Sequence, residues 1–330
     1  MTDDALISND RTDDTDQPKM RGRPGRLAPE DSARITRRIT VIAVLLGLLL
    51  AVGKAFVWKV SGSVGILSSL VHSSLDMFAA LSTYFAVRYA ARTPDKNYRF
   101  GRGKAESFSA VFQVCLIVFA AVHLAEEAYA RILNPESLSQ GGFAIASMLL
   151  FSAVTLWLLF AQSWAIRATG SIAVRGDRAH YFADLLGNVF VIIGIVLSSY
   201  TSLARADAVI GLLLSLWLLY TAYRVASLAW AQLMDKELPD EERDFIKDLA
   251  LQDPHVQGVF DLRTRASGPH IHIQMRLNMD EGLSLSEAHD IVLAAEKRMM
   301  SAYQGADILI HPHPSGCQHA HGNLRFREES

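Results

Sequence analysis

Six apolar stretches, near residues 37–58, 66–91, 107–131, 143–166, 179–200 and 208–231, constrain this chain more than any other feature. Each is long enough to cross a bilayer, which takes about 20 residues. The hydrocarbon layer holds no water for backbone groups, so such stretches are expected as helices. The fold class that follows is an α-helical membrane bundle of six transmembrane helices over residues 34–233. A soluble helical core does not contain six runs of this length.

Short loops set the orientation. Arg34, Arg37 and Arg38 precede the first span, and Arg88, Arg92, Lys96, Arg99, Arg102 and Lys104 follow the second. Arg167, Arg175 and Arg178 follow the fourth, whereas the opposite loops hold little beyond Lys59, Arg131 and Arg205. The positive-inside rule then puts both termini in the cytoplasm. Residues 1–33 are polar, lack the apolar core of a signal peptide and are expected to be a disordered tail. Cys115 and Cys317 make neither a disulfide framework nor a CxxC site.

The spans carry unusual polar residues. His72 and Asp76 sit in the second, and His180 and Asp184 at the head of the fifth. A spacing of four places each pair on one helix face, about one turn apart. Two such helices facing each other offer two imidazoles and two carboxylates, a tetrahedral set suited to zinc. A carboxylate at membrane depth costs about 2.5–3.5 kcal/mol on insertion scales, and a divalent cation supplies the reason for it. The remaining four helices are expected to shield these two from lipid.

After residue 233 the composition changes. A helix from Asp240 to about Gln252 opens with acidic residues, which favour a helix N-terminus. Strands are expected at Val256–Arg265, His270–Asp280 and Ala306–His311, with an amphipathic helix over Ser284–Tyr303. The helix–strand–strand–helix–strand order implies a small α+β unit with helices covering a sheet. Its size is marginal for independent stability, so pairing with a second copy is expected.

Six spans, the two His-x3-Asp pairs and this tail resemble the cation diffusion facilitators, homodimeric metal/proton antiporters. The resemblance covers about residues 35–316. It is most specific at Phe100-Gly101-Arg102-Gly103-Lys104-Ala105-Glu106-Ser107, at Asp261-Leu262-Arg263-Thr264-Arg265, and at Ser284-Leu285-Ser286 with Ala288-His289. It implies a ferredoxin-like cytoplasmic domain for metal sensing and dimerisation over residues 234–316, with a flexible His-containing tail over 317–330. It implies a transport site of His72, Asp76, His180 and Asp184. A second imidazole in place of a carboxylate suits zinc better than manganese or magnesium, which prefer oxygen. Fe²⁺, Co²⁺ and Cd²⁺ fit the same donors.

The resemblance also implies two further sites. In the loop after the second span the matching positions read Asp95, Tyr98 and Arg102, and an arginine cation repels a metal, so that site is expected to be absent. In the tail, His289, His311 and His313 fall on ligand positions, while Phe260 and Arg276 replace two others. His270 and His272, alternate residues of one strand, are candidate replacements. His319, His321 and Cys317 could add to them. Lys104 and Asp235 match a charge pair that interlocks the dimer, and Glu106 either joins it or serves as a first-turn acid.

The implied activity is efflux of Zn²⁺ in exchange for protons across a bacterial inner membrane, with Asp177 attracting the ion at the cytoplasmic mouth. Zn²⁺ is the transported substrate and a regulatory ligand, and no nucleic-acid partner is expected. The chain is not expected to be an enzyme, because it has no HExxH and its ligand set leaves no open position. A non-transporting membrane metal sensor would leave the intramembrane charges without a purpose.

Overall fold

A computed structural model of the chain describes residues 24–61, 64–133, 142–200 and 204–315. Residues 1–23 of the expected tail, and Cys317, His319 and His321, lie outside these described residues. Six long helices come first: α1 Pro29–Ser61, α2 Val64–Ala90, α3 Ala105–Leu133, α4 Gly142–Thr169, α5 Ile172–Tyr200 and α6 Ala204–Leu233. A C-terminal unit follows: α7 Asp240–Ala250, β1 Val256–Ser267, β2 His270–Met279, α8 Leu285–Ala302 and β3 Ala306–Pro314. Among the described residues three segments are long and apolar enough to cross a membrane, Pro29–Phe56, Ala105–Ala130 and Gly211–Leu233.

The bundle is apolar outside and polar inside. Leu49, Phe56, Phe119, Phe160, Leu213 and Trp230 are exposed, whereas Thr83, Ser107, Gln113, Gln162, Asp177 and Gln232 are buried. Lipid, not water, suits that surface. Small residues let the helices approach closely. Ala110 and Ala121 of α3 share a cluster with Ala222 and Ala229 of α6, and Ala43 of α1 and Ala80 of α2 share one with Ala165 of α4. Polar bonds tie the helices further. Ser107 Oγ donates to Gln232 Oε1 at 2.5 Å. Glu106, rather than joining Lys104 and Asp235, accepts from Ser171 Oγ at 2.6 Å and from the first N–H groups of α5. Those donors have no partner within their own helix, so the α3 carboxylate caps α5.

In the C-terminal unit the sheet order is β1-β2-β3, with β1 antiparallel and β3 parallel to β2. The parallel pair requires a crossover, which α8 supplies. Alternate residues of β2 (Ile271, Ile273, Met275, Leu277 and Met279) face the helices and pack with Ile246, Val292, Ala295 and Met299. Burying each such side chain contributes about 1.5–3 kcal/mol. Ser284 and Glu287 cap α8 reciprocally, and the Ser284 bonds hold the Glu287 carboxyl below its usual range.

Three ties join the bundle to this unit. Lys104 Nζ lies 3.0 Å from Asp235, which also pairs with Arg265 at 3.1 Å, all within one chain. A Cβ on Gly103 would stand 2.0 Å from the Ser267 carbonyl, so the α2–α3 loop seats its bare backbone on the β1–β2 turn. The third tie replaces part of the expected disordered tail. Residues 24–28 lie along the C-terminal unit, with Gly305 N–H donating to the Gly25 carbonyl at 2.9 Å. Arg26 donates to Glu242 at 3.0 Å and to Tyr303 OH at 3.1 Å, and its guanidinium lies 4.0 Å from the Tyr303 ring centre. Stacking and pairing together order a segment whose composition alone gives no reason for order. Pro29, with Glu30 and Asp31 in the first turn, then starts α1.

Candidate metal centre

α2 and α5 bring Asp76, His180 and Asp184 together, with ligand atoms all within 4.8 Å of one another. His180 Nε2 lies 3.3 Å from Asp76 Oδ1 and 3.7 Å from Asp184 Oδ2. The three side chains are 6, 14 and 15% exposed. Two carboxylates crowded around one imidazole repel each other unless a cation or protons intervene. His180 Nδ1 is buried without a hydrogen-bond partner among the described residues. Nitrogen plus carboxylate oxygen is a donor set that suits zinc and its neighbours. His72 lies on α2 one turn before Asp76, and its side chain is outside the described residues.

Asp177 is not at a mouth. α5 begins at Ile172, seven residues before the apolar run that marks it in the sequence, because Gly170 (φ 69°) turns the chain and Ser171 Oγ accepts from Val174 N–H. Asp177 is therefore inside the helix, three residues before His180 and only 1% exposed. Gln162 Nε2 donates to it at 2.8 Å and Gln113 Nε2 at 3.3 Å. Gln113 Nε2 also lies 3.1 Å from the Ala79 carbonyl and from Thr83 Oγ1. This buried polar layer links α2, α3, α4 and α5 between the metal centre and the start of α5. Neither glutamine is among the candidate residues that spacing picks out. Isolated amides in the apolar runs of α3 and α4 were the available signal.

In the α2–α3 loop the Arg102 guanidinium pairs with the Asp95 carboxylate and lies 4.3 Å from the Tyr98 ring centre. That hydrogen bond, with N–H bonds from Tyr98 and Asn97, holds the Asp95 carboxyl below its usual range. The three loop positions thus form a stacked ion pair.

The tail histidines are dispersed. His289 is exposed on α8, and His311 and His313 are alternate residues of edge strand β3 with ring centres 6.4 Å apart. His272 is buried, its Nδ1 3.0 Å from Asp307 Oδ2 and its ring edge-on to Phe100 of the α2–α3 loop. Neighbouring His270 is half-buried, and desolvation, then the nearby His272, push its pKa down. This pair belongs to the junction with the bundle. Phe260 is exposed, and Arg276 pairs with Asp261. Among the described residues no second group of three His, Cys, Asp or Glu side chains converges as Asp76, His180 and Asp184 do. Among the described residues the tail donors of one chain do not converge on a common point.

Comparison with known proteins follows these two regions. Residues 40–234 match the cation efflux transmembrane domain, and residues 238–315 match the cytoplasmic domain of cation efflux proteins. The cation-efflux pump FieF of Cronobacter sakazakii is 38% identical over 86% of this chain and 94% of its own length. FieF of Yersinia enterocolitica is 38% identical over 88% of this chain and 98% of its own. A solved structure of a candidate zinc transporter, CzrB, in its zinc form covers 26% of this chain and 98% of its own at 28% identity, with a TM-score of 0.24.

Proposed function

The chain belongs to the cation efflux family, the cation diffusion facilitators, and from that premise we propose that it exports Zn²⁺ from the cytoplasm in exchange for protons. It is a cation efflux transporter in a membrane, and its relatives are transporters rather than enzymes. The observation that carries the zinc reading is the convergence of Asp76, His180 and Asp184 within 4.8 Å inside an apolar bundle. His72, on the same face of α2 as Asp76, is proposed as the fourth donor. All six helices cross the bacterial inner membrane with both termini cytoplasmic, as the basic loops favour.

Zn²⁺ reaches the site past the Asp177 layer when the cytoplasmic ends of α2–α5 part. It binds neutral imidazole, so binding releases any proton that His180 or His72 holds. The bundle then opens to the far side, where protons return to the imidazoles and weaken the site. A free imidazole titrates near pH 6.5, within reach of a transmembrane proton gradient. Fe²⁺, Cd²⁺ and Co²⁺ would use the same donors. The cytoplasmic domain pairs two copies of the chain. His311 and His313, with His289, are proposed as a weaker metal-binding surface there, and no transport step depends on it.

The test is proteoliposome flux with an imposed pH gradient. Zn²⁺ entering the lumen should be matched by protons leaving it. Zn²⁺ movement with no proton counterflow would remove antiport, and His72→Asp should admit Cd²⁺ if His72 sets selectivity.

A further inference from the structure

Lys54 is a charge in the bundle that the function above leaves unused. It lies on α1 seven residues before that helix ends at Ser61. A lysine there ordinarily extends outward to the membrane surface. This one turns inward, with Nζ 2.6 Å from Ser73 Oγ, and Ser73 is only 2% exposed. Ser73 precedes Asp76 by three residues on α2, so the two share a face with Cβ atoms about 5–6 Å apart. The ammonium also attracts the carboxylates of both Asp76 and Asp184. Residues 24–28 hold the start of α1 against the C-terminal unit. At about 1.5 Å per residue, Lys54 is some 35–40 Å from that end, so it approaches the metal centre from the side opposite Asp177.

We propose that Lys54 is a tethered counter-cation of the transport site, which sets how tightly the site holds a divalent metal ion. The proposal rests on Asp76, His180 and Asp184 being that site. With His180 neutral, the two carboxylates carry two negative charges, which one divalent ion cancels. Without Lys54 the site would pass from neutral when loaded to doubly negative when the ion leaves and before protons return, an imbalance that retains the metal. With Lys54 it alternates between one positive and one negative charge. Loading is opposed by repulsion, and the empty site keeps a cation beside its carboxylates. Asp177, already bonded by two amides, enters both states equally. An antiporter must release its ion before protons take its place, and the ammonium evens the two charge states of that step.

The test uses the full-length chain, measuring Zn²⁺ transport in proteoliposomes and Zn²⁺ affinity by competition with a chromophoric chelator. Lys54→Met should bind Zn²⁺ at least about tenfold more tightly, with KM falling and kcat falling with it. Lys54→Arg, which keeps the charge, should stay within about threefold of wild type. Lys54→Gln gives the same readout if the methionine variant does not fold. Unchanged KM and affinity in Lys54→Met would overturn the proposal. So would a raised KM, which a merely structural lysine produces, or an arginine variant that behaves like the neutral ones. Asp184→Ala run alongside separates the two readings: wild-type Zn²⁺ flux in that variant would overturn the site itself.

Discussion

The bundle hides Thr83, Gln113, Gln162 and Asp177 and shows Phe56, Phe119 and Trp230, while the C-terminal unit hides Ile273, Leu277 and Met299 and shows His289 and His311. Two opposite solvents explain the inversion. Its consequence for function is a difference between histidines. His180 is enclosed with two carboxylates on facing helices, which a metal ion can satisfy and lipid cannot. His289 and His311 are exposed, where water can satisfy their nitrogens without any metal. The lesson is that histidine becomes a strong ligand candidate through enclosure and charge, beyond its spacing in the sequence.

The widest break in this comparison comes from the ligands. Asp76→Ala or His180→Ala should lower Zn²⁺ flux by roughly a hundredfold or more, since even outer-shell changes at metal sites cost about 10–100-fold. Melting temperature of the purified Asp76→Ala chain should hold, because that change relieves a crowded carboxylate pair. A variant that keeps half its flux would remove that residue from the site.

The next effect probes whether the two regions are mechanically joined. Arg26→Ala removes the guanidinium that pairs with Glu242, a carboxylate whose side chain is 1% exposed. Breaking a buried ion pair costs about 3–5 kcal/mol, so thermal unfolding of the C-terminal unit should shift clearly downward. An unchanged melt would mean that the segment rests on the unit without contributing to it. Gly103→Ala should cost about 1–3 kcal/mol, because the loop backbone must withdraw from Ser267. Hydrogen exchange at residues 266–270 would register it, and unaltered protection there would contradict the contact. Smallest is Ser284→Ala, about 1 kcal/mol from the lost cap of α8, read as a lower melting temperature at unchanged flux.

Much of this was legible in sequence. Six helices and the α–β–β–α–β order follow from apolar period and turn residues, and His180, Asp184 and Asp76 from their spacing in apolar runs. The start of α5 was not, because Ser171, Arg175 and Asp177 read as loop, and the cap that starts the helix there, Glu106 on Ser171, Ile172 and Ala173, comes from a distant helix. The order at residues 24–28 depends on Tyr303 and Glu242, more than two hundred positions away. His270 and His272 are evenly spaced for a surface site, yet Phe100 and Asp307 claim His272 for the domain junction. Such pairings belong to tertiary structure, and local pattern does not encode them.

The most direct test of the central claim is Zn²⁺ flux in proteoliposomes, comparing Asp184→Ala with the combined His289→Ala, His311→Ala and His313→Ala variant. Abolished flux in the first, with the second within about threefold of wild type, is the predicted result. Robust flux from Asp184→Ala, with transport lost in the histidine variant, would contradict the account by moving the essential metal site from the bundle to the tail.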